Sequence, residues 1–331
     1  MKCFENLNLE DVDYSYQNFK GVYFKGANLI NCNFQCAIFE EANLSGANFY
    51  GANLKYTNFK NANLSNCSMF KADLTGANLS GVYLNKVNLR YANLTETNLA
   101  KSDLTYANLY GVNLTNAILT KASINRCMLC EAVLDYADFK YADLKFSNLN
   151  KTIMNNTNFE NAIMNESSIQ YSYSNKCNFK DAQMINTNLN FSTFMEANFI
   201  NTNLQDSKLN NCNLTKSLMM YINLSNCDLR NSTILRTQML FANLTHADLT
   251  NAVLSYSNLT GSNIIYTILS NAMLNDTVLI SCKIYEINPK QANFTNAILV
   301  GASIDISDFS DTIMDNVNLT GAIITDCEFP R

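Results

Sequence analysis

Large apolar side chains return at every fifth residue along this chain. Stepping by five from Phe4 through Leu9, Tyr14, Phe19 and Phe24 to Phe329 visits sixty-six positions without insertion or deletion. Sixty-four of them are Leu, Ile, Met, Phe or Tyr; only Ser174 and Pro289 break the rule. Two residues before each of these centres, from Val22 onward, stands Ala, Ser, Thr, Cys or Val, with Ile222 and Ile287 as exceptions. A period of five fits neither an amphipathic helix at 3.6 nor a half-buried strand at 2. It fits a short extended segment closed by a tight corner. The centre and the residue two before it then share one face, as alternate strand residues do, and the other three positions face water.

All ten glycines fall two residues after a centre, among them Gly46, Gly111 and Gly261, and Asn31, Asn61 and Asn201 occupy the same place. Gly and Asn tolerate positive φ, so the chain turns there. Four corners close a square coil of twenty residues, and successive coils stack at about 4.8 Å. Two defects interrupt the pattern. Ser174 puts a small polar group at a centre, which predicts a narrowed corner or a small cavity. Ile287 and Pro289 combine an oversized inward residue with a missing backbone donor, which predicts a bulge or altered turn near 285–291.

Segments such as Ala42-Asn43-Leu44-Ser45-Gly46, Ala72-Asp73-Leu74-Thr75-Gly76 and Ala247-Asp248-Leu249-Thr250-Asn251 resemble the A(N/D)LxX signature of the pentapeptide-repeat family. The resemblance covers essentially the whole chain. It implies an all-β fold, a right-handed quadrilateral β-helix or solenoid, with hand and squareness taken from the family rather than from spacing. About sixteen coils of four five-residue units are expected, with residues 1–331 as a single solenoid domain.

Composition narrows the chemistry. There is no Trp, one His, two Pro and 47 % hydrophobic residues. No run suits a membrane span or a secretory signal, and Met1–Phe4 already enters the repeat, so a cytoplasmic protein without membrane association is expected, bacterial by family. A net charge of −5 argues against direct nucleic-acid binding, which takes a basic surface. Eight of the eleven Cys, such as Cys32, Cys67 and Cys212, hold the small inward position, where Cys behaves as a small hydrophobe. Cys127-Met-Leu-Cys130 matches C-x-x-C, but the frame turns Cys127 inward and Cys130 outward. So many free thiols suit a reducing compartment.

His246 stands alone on a corner and cannot complete a triad or a His-based metal site. Glu40 with Glu41, and Asp308 with Asp311, lie on convex surface that neither excludes water nor raises a carboxyl pKa. The glycines are spaced for corners rather than for phosphate. No catalytic residue, metal site or cofactor is expected, and an enzyme is not.

The expected function is a non-enzymatic scaffold presenting surfaces for protein–protein interaction or self-association. On the face of Phe19, the seven units centred on Phe199, Met219, Met239, Leu259, Leu279, Leu299 and Leu319 contain no charged residue. Ile200, Met220, Leu240, Ile280 and Val300 follow one outward position at multiples of twenty, with Leu218, Val278 and Ile298 on the other side of the centre and Tyr221 and Phe241 on the adjoining corner. Together they predict an exposed apolar strip. Its occupant would be an unidentified protein or a second copy, a homodimer forming through this face or through a solenoid end. The family resemblance supplies an alternative. Some members linked to quinolone resistance mimic duplex DNA and bind a type II topoisomerase. B-DNA carries one negative charge per ~1.7 Å, whereas acids exceed bases by at most three on any face of this chain.

Overall fold

Within each of the chain's two units, five-residue segments hydrogen-bond to segments twenty residues later, which fixes the length of one coil. The computed structural model describes residues 3–330, so the start of the repeat at Met1 lies outside the described residues. Two compact units are present, Met1–Ser168 and Ile169–Arg331. Parallel bridges run from Cys3↔Tyr23 to Asn148↔Ser168 in the first, and from Tyr173↔Thr193 to Asp308↔Glu328 in the second. In the second unit the pairing widens into a parallel four-stranded sheet of β1 (Asn263–Ile265), β2 (Lys283–Tyr285), β3 (Ser303–Asp305) and β4 (Ile323–Thr325), in that order. The register is again twenty, as in Ile264↔Ile284 and Ile284↔Ile304.

Five consecutive amides show why the repeat needs its residues. Leu44 N–H donates to Asn63 O of the next coil at 2.8 Å, and Gly46 N–H to Ser65 O at 2.9 Å. Ala47 N–H closes the corner on Leu44 O at 2.9 Å, and Asn48 N–H reaches back to Ala27 O at 2.9 Å. The remaining amide, on Ser45, has no backbone acceptor; Asn43 Oδ1 takes it at 3.2 Å. That is the physical reason for Asn or Asp just before the centre: a side chain supplies the one acceptor the backbone ladder lacks. Where two such residues stack, they also bond to each other, as in Asn53 Nδ2 to Asn33 Oδ1 (2.9 Å) and Asn223 Nδ2 to Asn203 Oδ1 (3.0 Å).

The corner is a four-residue turn with positive φ at its third residue, the type II pattern. Every corner from Asn6 to Asp326 has positive φ except Asp311, and most are not glycine: Tyr56 lies at 55°, Lys101 at 60° and Phe241 at 56°. Glycine is therefore not required for the turn itself. At three corners it serves a second purpose. A Cβ on Gly76, Gly111 or Gly261 would come within 2.6, 2.8 or 2.5 Å of the ring of Tyr56, Tyr91 or Phe241 respectively.

Centres and small inward residues fill the coil. Phe24, Ala27, Leu94 and Leu214 are fully buried. Rings stack from coil to coil, Phe19 on Phe39 and Phe39 on Phe59, at 5.0 and 5.2 Å between centroids. The interchange of Ala with Ser, Thr and Cys at the inward position also has a cause. Thr57 Oγ1, Cys67 Sγ and Ser262 Oγ donate to the centre carbonyls of Phe34, Leu44 and Met239 at 3.0, 2.9 and 2.8 Å, so the buried polar atom is satisfied.

Both defects leave marks. Ser174 is fully buried with no partner for its hydroxyl, and the next coil places Phe194 over it, beside Phe179 and Phe199. At Pro289 the ladder breaks: Asn288 makes no bridge, and Gln291 N–H bonds to Asp311 O at 2.7 Å, one residue further along than the pattern elsewhere. Asp311 is displaced from positive φ in the same place.

The side-chain acceptor generates a graded expectation. Asn223 accepts from Ser225 N–H and bonds to Asn203 and Asn243, whereas Asn98 accepts only from Ala100 N–H. Asn223→Ala should lower unfolding free energy by about 1–3 kcal/mol and Asn98→Ala by about 1 kcal/mol or less, measured by chemical denaturation. Equal losses at the two sites would contradict the ladder's contribution.

Candidate interaction surface

The apolar strip lies wholly within the unit Ile169–Arg331. Ile200, Met220, Leu240, Ile280 and Val300 fall in one column and are half-buried. Leu218 is exposed, while Val278 and Ile298, which pair with each other in the ladder, are half-buried. Tyr221 and Phe241 are more than half exposed between them, and their rings stack at 5.2 Å with 10° between planes. The Phe241 ring extends over Gly261, which has no side chain to displace it. This stack is the most prominent apolar feature of the face.

The structure groups these residues into two patches. Ile200, Leu218, Met220, Tyr221, Leu240 and Phe241 form one; Val278, Ile280, Ile298 and Val300 form the other. Between them runs a polar coil, where Thr260 donates its amide and hydroxyl to Asn258 Oδ1 at 3.0 and 2.7 Å. Leu218, Val278 and Ile298 each occupy a position where Asn would otherwise hold the amide two residues on. Ile200 N–H has such a partner in Asn198 Oδ1 at 3.1 Å. The amides of Met220, Ile280 and Val300 have no acceptor of this kind, so apolar surface here replaces a local hydrogen bond.

The other candidate residues lie as follows. Cys127 is buried, its thiol donating to Leu104 O at 2.9 Å, while Cys130 is half-buried in the turn that follows Leu129. His246 is exposed and stacks on Tyr266 at 4.8 Å. Glu40 and Glu41 flank Lys20 Nζ at 3.2 and 3.6 Å, and that hydrogen bond holds the Glu40 carboxyl below its ordinary range. Asp308 is likewise lowered, by the Ser310 hydroxyl and amide. These shifts favour the charged form, opposite to what a proton-donating carboxyl needs. Among the described residues no three His, Cys, Asp or Glu side chains gather as a metal site, and no helix is long and apolar enough to cross a membrane.

Comparison with known proteins follows the same repeat. A family model described as pentapeptide repeats matches in eight copies, over residues 8–46, 47–85, 83–120, 142–172, 177–215, 242–279 and 274–311. No curated protein matches the sequence. Similar solved structures include HetL, a pentapeptide repeat protein involved in heterocyst differentiation regulation from Nostoc sp. strain PCC 7120. It is 22 % identical over 78 % of this chain and 90 % of that one, with a TM-score of 0.35. A pentapeptide repeat protein of the Arabidopsis thaliana thylakoid lumen is 30 % identical over 34 % of this chain and 66 % of that one (TM-score 0.23). QnrB1, a plasmid-mediated fluoroquinolone resistance protein, is 18 % identical over 50 % and 85 % (TM-score 0.28).

The buried thiols yield a pH dependence. Burial pushes Cys67, Cys127, Cys212, Cys227 and Cys282 up to about 12 from an ordinary 9.0. Above pH 9 the unfolded thiols ionise while the folded ones stay protonated, so the unfolded state binds fewer protons and stability falls as pH rises toward 12. Each thiol contributes up to about 1.4 kcal/mol per pH unit in that window. Denaturation at pH 8 and pH 10 should show this loss, and a Cys67→Ala variant should show less of it than the parent.

Proposed function

The chain belongs to the pentapeptide-repeat family, whose fold is the right-handed quadrilateral β-helix, and we propose that it is a non-enzymatic scaffold acting through protein–protein contact or self-association. The contact surface is the apolar strip, led by the stacked Tyr221 and Phe241. One observation carries this reading: large apolar side chains and uncharged neighbours coincide in two patches on one face, at positions where the fold imposes no apolar residue. Centres must be apolar to fill the coil; the outward positions need not be. Covering exposed apolar surface recovers about 25 cal/mol per Å², and aromatic residues supply much of the energy in such contacts. A reducing, cytoplasmic setting suits the eleven unpaired thiols.

The rival reading, mimicry of duplex DNA toward a type II topoisomerase, has less to support it. Charge on this protein is mixed, and the strip is uncharged where a mimic needs regularly spaced anions. A supercoiling assay separates the two, because inhibition or drug protection at stoichiometric ratios would favour the mimic.

Met220→Lys with Leu240→Lys tests the scaffold directly. Both side chains point away from the core, so folding stability should change by no more than about 0.5 kcal/mol per site. Self-association in sedimentation, or capture of a partner from the native host, should be lost. Unchanged behaviour in both measurements would remove the strip from the function.

A further inference from the structure

A second surface lies in the unit Met1–Ser168, and its character is basic and aromatic. Between residues 55 and 126 there are eight Lys or Arg and three Asp or Glu, in a chain whose net charge is −5. Lys55 is paired with Asp73 at 3.1 Å. Lys71, Lys86, Arg90 and Arg126 are exposed and form no ion pair with a carboxylate among the described residues. These four cations border one face, that of the centres Met69, Leu89, Leu109 and Leu129.

Rings hold the two arginines in place. The Arg90 guanidinium sits 5.6 Å from the Phe70 ring and 5.9 Å from the Tyr91 ring. Arg126 lies between Tyr106 and Phe146, 6.0 and 4.3 Å from their centroids. Tyr91 also meets Phe70 and Tyr110 edge-on at 5.7 and 5.5 Å. Two shallow depressions open beside the arginines. One, of about 370 Å³, is lined by Arg90, Tyr91, Asn108, Tyr110 and Met128; the other, of about 320 Å³, lies on the adjoining face of Leu104 and Ile124, where Tyr106, Arg126 and Phe146 share it with Asp143, itself paired with Lys145 Nζ at 3.5 Å. The carboxylate at the edge of the face, Glu131, is already paired with Lys151 Nζ at 3.9 Å.

We propose that this face binds a single-stranded nucleic acid, running along the column of coils. Unpaired cations call for an anionic ligand, and their spread from the coil of Met69 to that of Leu129, with Lys86 and Arg126 forty residues apart in one column, calls for an extended one. Phe70, Tyr91, Tyr106 and Tyr110 call for a ligand that also brings planar rings at short intervals. A single strand offers both, phosphates to the cations and bases to the rings and guanidinium planes. A neutral glycan leaves the cations unused, an acidic peptide lacks a ring at each step, and a duplex keeps its base faces stacked. Net charge over the whole chain points away from nucleic acid; the local field is what a ligand meets. The backbone amides of Tyr50, Arg90 and Tyr110 are already bonded to Asn48, Asn88 and Asn108. Recognition is therefore left to side chains, which suits sequence-tolerant binding.

The test is fluorescence anisotropy of a labelled oligothymidylate of about 15 nucleotides with the full chain. Saturable binding is expected, weakening roughly 20-fold between about 50 and 200 mM salt if three phosphates are neutralised. Arg90→Ala with Arg126→Ala should weaken it at least tenfold with an unchanged thermal unfolding curve, while Lys283→Ala on β2 leaves it within twofold. Absence of binding at the lower salt, or full binding by the double variant, would overturn the proposal. So would a duplex of the same length, heparin or polyglutamate binding as tightly as the single strand, because that marks an unselective anion surface. The outcome is independent of the apolar strip, since Met220 and Leu240 lie in the other unit.

Discussion

The structure depends on one constraint: the amides of a five-residue unit must be served while coils stack in a register of twenty. Four find backbone carbonyls, in the neighbouring coils or at the corner, and the fifth takes a side chain wherever Asn or Asp precedes the centre. Ser45 on Asn43, Thr75 on Asp73 and Thr250 on Asp248 are instances of one solution. From this follow the Asn and Asp before the centre, the parallel stacking, and the corner closed on the centre carbonyl. The second lone pair of that carbonyl then receives a Ser, Thr or Cys from the next coil. A chain so constrained carries little irregular backbone, and its defects are felt locally. Pro289 removes one donor, and the departures gather close to it, at Asn288, Gln291, Asp311 and Thr312.

This regularity is why the fold is so legible in the amino-acid order. A one-dimensional period read at centres and inward positions maps directly onto burial, and Leu94 and Leu214 are enclosed as the frame requires. The distortion near residues 285–291 was equally visible, because a missing N–H and an oversized Ile287 are local facts. Less of the surface could be read. The turn alone does not explain glycine, because Lys101 and Phe241 adopt the same φ. The reason for Gly261 lies in a ring twenty residues earlier. The basic face is masked in the amino-acid order for a related cause. Summing charge over a whole face averages Lys86, Arg90 and Arg126 against acids many coils away. Following the columns Tyr50, Phe70, Arg90, Tyr110 and Lys86, Tyr106, Arg126 in steps of twenty would have revealed it.

Function in this architecture is written on positions that the core does not use. Two inward residues per unit set stability, and three outward ones are largely released from it. One sequence can therefore present an uncharged apolar strip in one unit and a cationic aromatic face in the other without compromise to packing. The strip does give something up. Leu218, Val278 and Ile298 stand where Asn would have satisfied an amide, a bond worth about 0.5–1.5 kcal/mol. The same exchange occurs at Ile118 and Ile268, outside the strip, so the substitution alone does not mark a surface. What distinguishes the strip is that charge is missing from the neighbouring columns as well.

The outward columns are not fully independent, however, and the coupling has a direction. An aromatic corner residue lays its ring over the corner that follows it by twenty. Gly261 with Phe241 and Gly111 with Tyr91 show the tightest form, where a Cβ would stand closer than contact distance. Other aromatic corners are followed by a flat partner instead: Tyr171 stacks on Phe191 at 5.1 Å and Tyr221 on Phe241 at 5.2 Å. Arg126 over Phe146 is a third variant, with a guanidinium plane in place of a ring. A large planar corner is thus followed by glycine or by a flat group at several sites, though Tyr16, Phe146 and Tyr266 are followed by Cys36, Glu166 and Glu286. Both proposed surfaces contain such runs, Tyr221–Phe241–Gly261 and Tyr106–Arg126–Phe146. In each, planar groups are ordered by the coil spacing itself before any ligand arrives, which lowers the entropic cost of binding them.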